Sequence, residues 1–244
     1  MKLSPVISVD TVKGLAAAGD FHLIGALTFL RHHGFDLRSE PRAVVEWCMT
    51  QAESGSPEAQ YVLAEMLIVG LFVEQDHVEA LRWCRQSSQA GFGPALMLLA
   101  EFYFSGWGGV DVDKNCADTL MKRSADNGFV PAIRTLGLAL VESRSSKDAD
   151  EGIRLLNMAA QKGDLYAETY LALRGLKSGD SKEGTGEAIE RLERAAIAGD
   201  VHANRMLGHF YKNGDYGLSR DDERAARLLE RADELERALL EDLE

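Results

Sequence analysis

The residues that could carry chemistry are six histidines, three cysteines and one glycine-rich loop, spread over 244 residues. The histidines are His22, His32, His33, His77, His202 and His209. His202 and His209 share a helix face, but their seven-residue separation is about 10.5 Å along a helix axis. Two ligands that far apart cannot both reach one metal at about 2.1 Å. The loop Gly179-Asp-Ser-Lys-Glu-Gly184-Thr-Gly has the glycine spacing of a phosphate loop. It lacks the lysine and hydroxyl that should follow the second glycine, and no strand pattern precedes it, so it reads as an inter-helix linker. Cys48 and Cys84 occupy equivalent places in a recurring series, which sets them about 8–10 Å apart. That is beyond disulfide reach, and they read as reduced core residues. Neither a Ser-x-x-Lys motif nor a Cys/His or Ser/His/Asp constellation is present. The chain reads as a non-enzyme, with no catalytic residue, metal or cofactor.

The elements that would have to position any site follow a strict period. A glycine recurs at Gly19, Gly55, Gly91, Gly128, Gly163 and Gly199, at intervals of 36, 36, 37, 35 and 36 residues. Eight residues after each stands a leucine: Leu27, Leu63, Leu99, Leu136, Leu171 and Leu207. Alanine stands four residues after five of them, and a small residue follows the leucine in five repeats. Self-similarity at this period signals a solenoid of stacked helix pairs. In helix A, the alanine, leucine and small residue share one face. In helix B, apolar positions recur 11, 8, 7, 4 and 3 residues before the closing glycine, with Arg191 an exception. The linkers Gly70–Asp76, Gly106–Asp113 and Gly214–Asp221 combine turn glycines, an apolar plug (Val73, Val110, Leu218) and an aspartate to cap helix B. Glu79 follows Asp76 by three, as in a capping box. In the fourth repeat Glu142-Ser-Arg-Ser-Ser-Lys-Asp replaces the glycine linker, and repeats one and five are degenerate there too.

The pattern Ala-x-x-x-Leu-Gly-x-x-Tyr, the glycine linker with its aspartate, Trp83 and a closing Ala-x-x-Gly resembles the Sel1-like repeat, a longer-linker relative of the tetratricopeptide repeat. Ala203-Asn-Arg-Met-Leu-Gly-His-Phe-Tyr211 and Ala95-Leu-Met-Leu-Leu-Ala-Glu-Phe-Tyr103 carry the likeness. It implies an all-α, right-handed α/α solenoid of about six helix-pair repeats over residues 19–54, 55–90, 91–127, 128–162, 163–198 and 199–235. A segment and capping helix in residues 1–18 and the end of a C-terminal capping helix in residues 236–244 close the stack. The resemblance further implies a protein–protein interaction adaptor or scaffold, with a concave groove lined by helix A. The exposed groove positions carried over by register are Tyr61, Glu65, Ile68, Met97, Glu101, Phe104, Arg134, Leu138, Tyr166 and Thr169. Glu65 and Glu101 would project about one helix spacing apart, among aromatic and Met side chains.

Charge narrows the partner. A formal charge of −12 lacks the basic footprint that nucleic acid requires, and fits a basic protein or peptide. The same acidity suits an alternative, an inhibitor or immunity protein that neutralises a basic toxin. Pro5 and Asp10 interrupt any signal-like apolar run at the N-terminus, and no stretch approaches the ~18 apolar residues of a membrane span. The expectation is a monomer in a bacterial-type cytoplasm. The last helix, from Asp221 onward, carries a leucine and alanine stripe that either covers the end of the stack or docks.

Overall fold

A computed structural model describes residues 30, 32–34, 41–143, 145–178 and 182–241. Among them the chain forms eleven α-helices and two short 3-10 turns, with no strand. The expected N-terminal capping helix and most of the first repeat's helix A lie outside the described residues, as do the side chains of Leu239 and Leu240. The helices are α1 (Pro41–Glu53), α2 (Pro57–Val69), α3 (His77–Gln89), α4 (Gly93–Ser105), α5 (Lys114–Asp126) and α6 (Val130–Val141). They continue as α7 (Ser146–Gln161), α8 (Leu165–Ser178), α9 (Lys182–Ile197), α10 (Val201–Asn213) and α11 (Asp222–Glu241). Even numbers are A helices and odd numbers are B helices. The chain divides into two compact units, with the boundary inside α6 between Ala132 and Ile133.

Local rules set the helix ends. The closing glycines Gly55, Gly91, Gly128, Gly163 and Gly199 all have positive φ, between 78° and 96°, a conformation that stops a helix and strains any other residue. Aspartates begin the B helices as expected. Asp76 Oδ1 accepts from the Val78 and Glu79 amides, Asp113 Oδ1 from Cys116 and Asp221 Oδ1 from Arg224. The capping box is only half made, because the Glu79 carboxylate accepts from Arg82 Nε at 2.9 Å. In the fourth repeat the glycine linker is replaced by a serine cap, Ser145 Oγ accepting from the Asp148 amide, and the helix pair survives. Residues 182–186 of the expected glycine-rich linker are helical instead: α9 begins at Lys182 and includes Gly184 and Gly186. Four turns of packed helix B outweigh two glycines, each worth about 1 kcal/mol against a helix.

In the N-terminal unit α2 is buried on every side from Ala59 to Ile68. An all-round apolar helix is a central helix. Leu63, Met66, Leu67, Leu96, Leu98 and Phe102 fill the core around it. Two buried serines donate to backbone carbonyls, Ser87 Oγ to Pro57 O at 2.6 Å and Ser124 Oγ to Gly93 O at 2.7 Å, tying each B helix to its own A helix. Cys48 and Cys84 are buried and free, and Cys116 is free and half-buried. Burial pushes the Cys48 thiol up to about 12.

The C-terminal unit relies on close approach. A Cβ on Gly152 would stand 2.7 Å from Gly137 O and from Val141 N, and one on Gly208 would stand 2.8 Å from Leu229 Cγ. Helix α11 packs its stripe on α10, with Ala225 and Ala232 buried and Leu228 and Leu235 half-buried. Arg205 on α10 reaches Asp233 at 3.4 Å and Glu236 at 2.8 Å. Arg191, the polar exception in the B stripe, donates to Asn157 Oδ1 at 3.2 Å and lies 3.8 Å from Glu168. It joins α9 to α7 and α8.

Candidate protein-interaction surface

The carried-over register puts several side chains inside that a groove would need outside. Tyr61, Glu65, Ile68 and Thr169 are buried, Glu65 being only 2% exposed. Met97, Glu101, Arg134 and Leu138 are half-buried, and only Phe104 and Tyr166 are exposed. The expected pair of projecting carboxylates is therefore absent. Tyr61, Glu65 and Glu101 do come together, but within the N-terminal unit. Burial first, then the Glu65 carboxylate, holds the Tyr61 hydroxyl far above the ordinary tyrosine range, with Glu101 adding to the effect. Burial, Glu65 and Glu101 likewise push the Cys84 thiol up.

The reason is a joint between successive A helices. The position six residues after the closing glycine meets the residue just after the next one. Tyr61 contacts Phe92 with ring centroids 5.7 Å apart. Arg134 Nη1 reaches Asp164 Oδ2 at 2.8 Å, and Thr169 Oγ1 donates to Asp200 Oδ1 at 3.1 Å. Asp164 and Asp200 also cap α8 and α10 through the Ala167 and Ala203 amides. The position thus fixes one A helix on the next. Arg134 additionally lies 5.5 Å over the Tyr166 ring, so these two expected site residues do sit together. A second joint lies one residue earlier: Gln60 Nε2 donates to Ala52 O at 3.0 Å and Asn204 Nδ2 to Ala196 O at 2.9 Å, satisfying carbonyls at the preceding B-helix end.

Phe104, by contrast, is one of four exposed apolar side chains on the linker and the helix ends beside it. Phe104 is 61% exposed, Trp107 40%, Val112 58% and Val78 67%. Four observations connect them. The Lys114 ammonium lies 5.9 Å over the Phe104 ring. The Asp113 amide donates to Tyr103 O at 2.8 Å, holding the linker's end against α4. A Cβ on Gly106 would meet Val112 Cγ2 at 3.2 Å. Trp107 stacks on His77 at 5.6 Å, next to Val78, and meets Phe102 edge-on at 6.3 Å. Gly108 makes the approach possible, since a Cβ there would stand 2.7 Å from His77 O. The linker of one repeat is thereby pressed on the start of helix B of the repeat before. Trp107, Val112, His77 and Val78 were not legible as a site, because Gly106-Trp-Gly-Gly reads as a turn. The available signal was length: this linker is one residue longer than Gly70–Asp76.

Among the described residues no group of three or more His, Cys, Asp and Glu side chains could hold a metal ion. No described helix is long and apolar enough to cross a membrane. His202 and His209 are both exposed on α10.

Comparison with known proteins identifies the repeat. The model of the Sel1 repeat matches residues 57–92, 93–129, 136–164 and 201–233. The chain belongs to the Sel1 repeat family. A Sel1 repeat protein from Oxalobacter formigenes, known from a crystal structure, superposes with a TM-score of 0.66 at 25% identity, over 78% of this chain and 76% of that one. The Sel1-repeat-containing protein YjcO of Escherichia coli K12 is 27% identical over 180 residues, 72% of this chain and 76% of YjcO. An uncharacterized protein of Neisseria meningitidis serogroup B is 27% identical over 190 residues, which span 78% of this chain but 39% of the relative. The chain thus spans well under half of that longer protein. Tyr61 and Phe92 both lie in the first matched segment, and Phe104, Trp107 and Val112 lie in the second. The Sel1 repeat fold generally mediates protein–protein interaction.

Proposed function

We propose that this Sel1 chain is an adaptor that binds a protein partner on the exposed face around Phe104 and the linker that follows it. The observation that carries this reading is the group of exposed apolar and aromatic side chains Phe104, Trp107, Val112 and Val78 on a chain of charge −12. Exposed apolar area gathered in one place marks interaction surfaces, whereas scattered single residues do not. Trp and other aromatic residues concentrate interface energy. Most of the groove positions carried over by register support the stack itself. Met97 and Glu101, in the same unit, keep enough exposure to extend a contact.

The test is comparative capture from the native host with the wild-type chain and a Phe104→Ala/Trp107→Ala double variant, followed by mass spectrometry. A partner recovered by the first and lost by the second, with unchanged far-ultraviolet circular dichroism, supports the adaptor reading. Partners recovered equally by both would move the site elsewhere. One tight partner whose own activity is abolished in the complex would convert the adaptor into an inhibitor.

A further inference from the structure

The acidic setting of the patch says what its partner looks like. This inference rests on the protein-binding reading of the same face. We propose that the occupant is a basic segment of another protein, carrying one or two aliphatic or aromatic anchors flanked by Lys or Arg. The two stretches that form the patch, residues 74–79 and 104–114, carry Glu74, Asp76, Glu79, Asp111 and Asp113 against a single Lys114. Glu79 is matched by Arg82. Asp76 and Asp113 accept helix amides. Asp111 is exposed and flanks Val112 directly. The field around the apolar surface is therefore negative, and a basic segment is steered to it.

The rings point the same way. Elsewhere the chain lays its own cations on aromatic faces: Arg82 at 4.2 Å over Trp83, Arg224 at 4.2 Å over Tyr211 and Arg134 at 5.5 Å over Tyr166. Trp107 carries no such cation among the described residues; one face stacks on His77 and its edge meets Phe102. Trp is the best cation–π acceptor among the side chains, so a partner's guanidinium has a ring to rest on. The same acidity disfavours two other occupants. A second copy of this chain would bring an identical acidic frame against the first, and an anionic lipid surface would be repelled.

Selection of a phage-displayed random peptide library on the folded full chain tests this. The expected consensus pairs an apolar or aromatic anchor with two or more Lys or Arg. The synthetic consensus peptide should lose about 30-fold in affinity on Trp107→Ala and on Phe104→Ala, the second being exposed enough to leave folding untouched. Asp111→Lys should slow association and flatten its salt dependence while dissociation changes little. An acidic or neutral consensus that still responds to Phe104→Ala would overturn the basic-segment proposal and leave the adaptor reading standing. Peptides indifferent to both aromatic variants, or no enrichment at all, would overturn both at this face. Sedimentation velocity showing a dimer that Trp107→Ala dissociates would make a second copy the occupant and sink the proposal.

Discussion

The linkers Gly70–Asp76 and Gly106–Asp113 begin and end alike, although the second is one residue longer, and differ in where they send their side chains. Each leaves helix A through a left-handed glycine, Gly70 at φ 75° or Gly106 at φ 76°. Each places a second left-handed residue two positions on, Phe72 at φ 63° or Gly108 at φ 66°. Each ends on an aspartate whose amide returns to helix A, Asp76 to Leu67 O at 2.9 Å and Asp113 to Tyr103 O at 2.8 Å. In the first, Leu71, Phe72 and Val73 all point inward and none is more than 3% exposed. In the second, Trp107 and Val112 face outward. The middle residue explains the divergence. At Gly108 a Cβ would meet His77 O at 2.7 Å and Leu81 Cβ at 3.1 Å, so this position has no room for a side chain, and only the half-buried Val110 packs on the core. Its apolar character is displaced to neighbouring positions, and its extra residue adds surface. The turn is a fixed frame that serves either as a plug or as a contact face.

Substitutions can break this contrast, beginning with the plug. Phe72→Ala removes a buried ring and should destabilise the chain by about 3–5 kcal/mol, whereas Trp107→Ala removes a half-exposed one and should cost about 1 kcal/mol. Urea unfolding followed by circular dichroism measures both, and equal losses would erase the distinction between plug and contact face.

A smaller effect is expected at the pivot. Gly108→Ala combines a left-handed backbone with a steric clash and should destabilise by about 2–3 kcal/mol. Gly109→Ala has φ 80° but nothing within 4 Å, and should cost about 1 kcal/mol. Thermal melts of the pair separate crowding from backbone strain; matching shifts would mean that the approach to His77 contributes nothing.

The smallest effect concerns what the linkers share. Asp76→Ala and Asp113→Ala each remove one helix cap and should each lose about 1 kcal/mol. Amide hydrogen exchange in the first turns of α3 and α5 should quicken to a similar degree. A large disparity would show that the two frames are not equivalent after all.

The frame was legible because it depends on neighbours in sequence. The closing glycines at 35–37-residue intervals, the capping aspartates and the A-helix alanine and leucine gave the helix pairs and their order. Each obeys a rule about a residue and the few around it. Arg191 was legible as an exception, but not its Asn157 and Glu168 partners 34 and 23 residues away. The site was read less well. Placing Tyr61 and Thr169 in a groove assumed that one helix face stays open, and stacking closes it: that face holds Phe92 and Asp200 of the following repeat.

What the sequence alone determined is therefore the repeat, its helix pairs, their caps and the acidic surface, all fixed by local backbone chemistry and composition. Only the tertiary structure decided that Glu65 lies inside while Phe104 and Trp107 lie outside. Solvent exposure depends on what the next repeat places over a residue. Gly108, too, is read as a plain turn glycine until His77 of the repeat before is seen to stand 2.7 Å from where its Cβ would be.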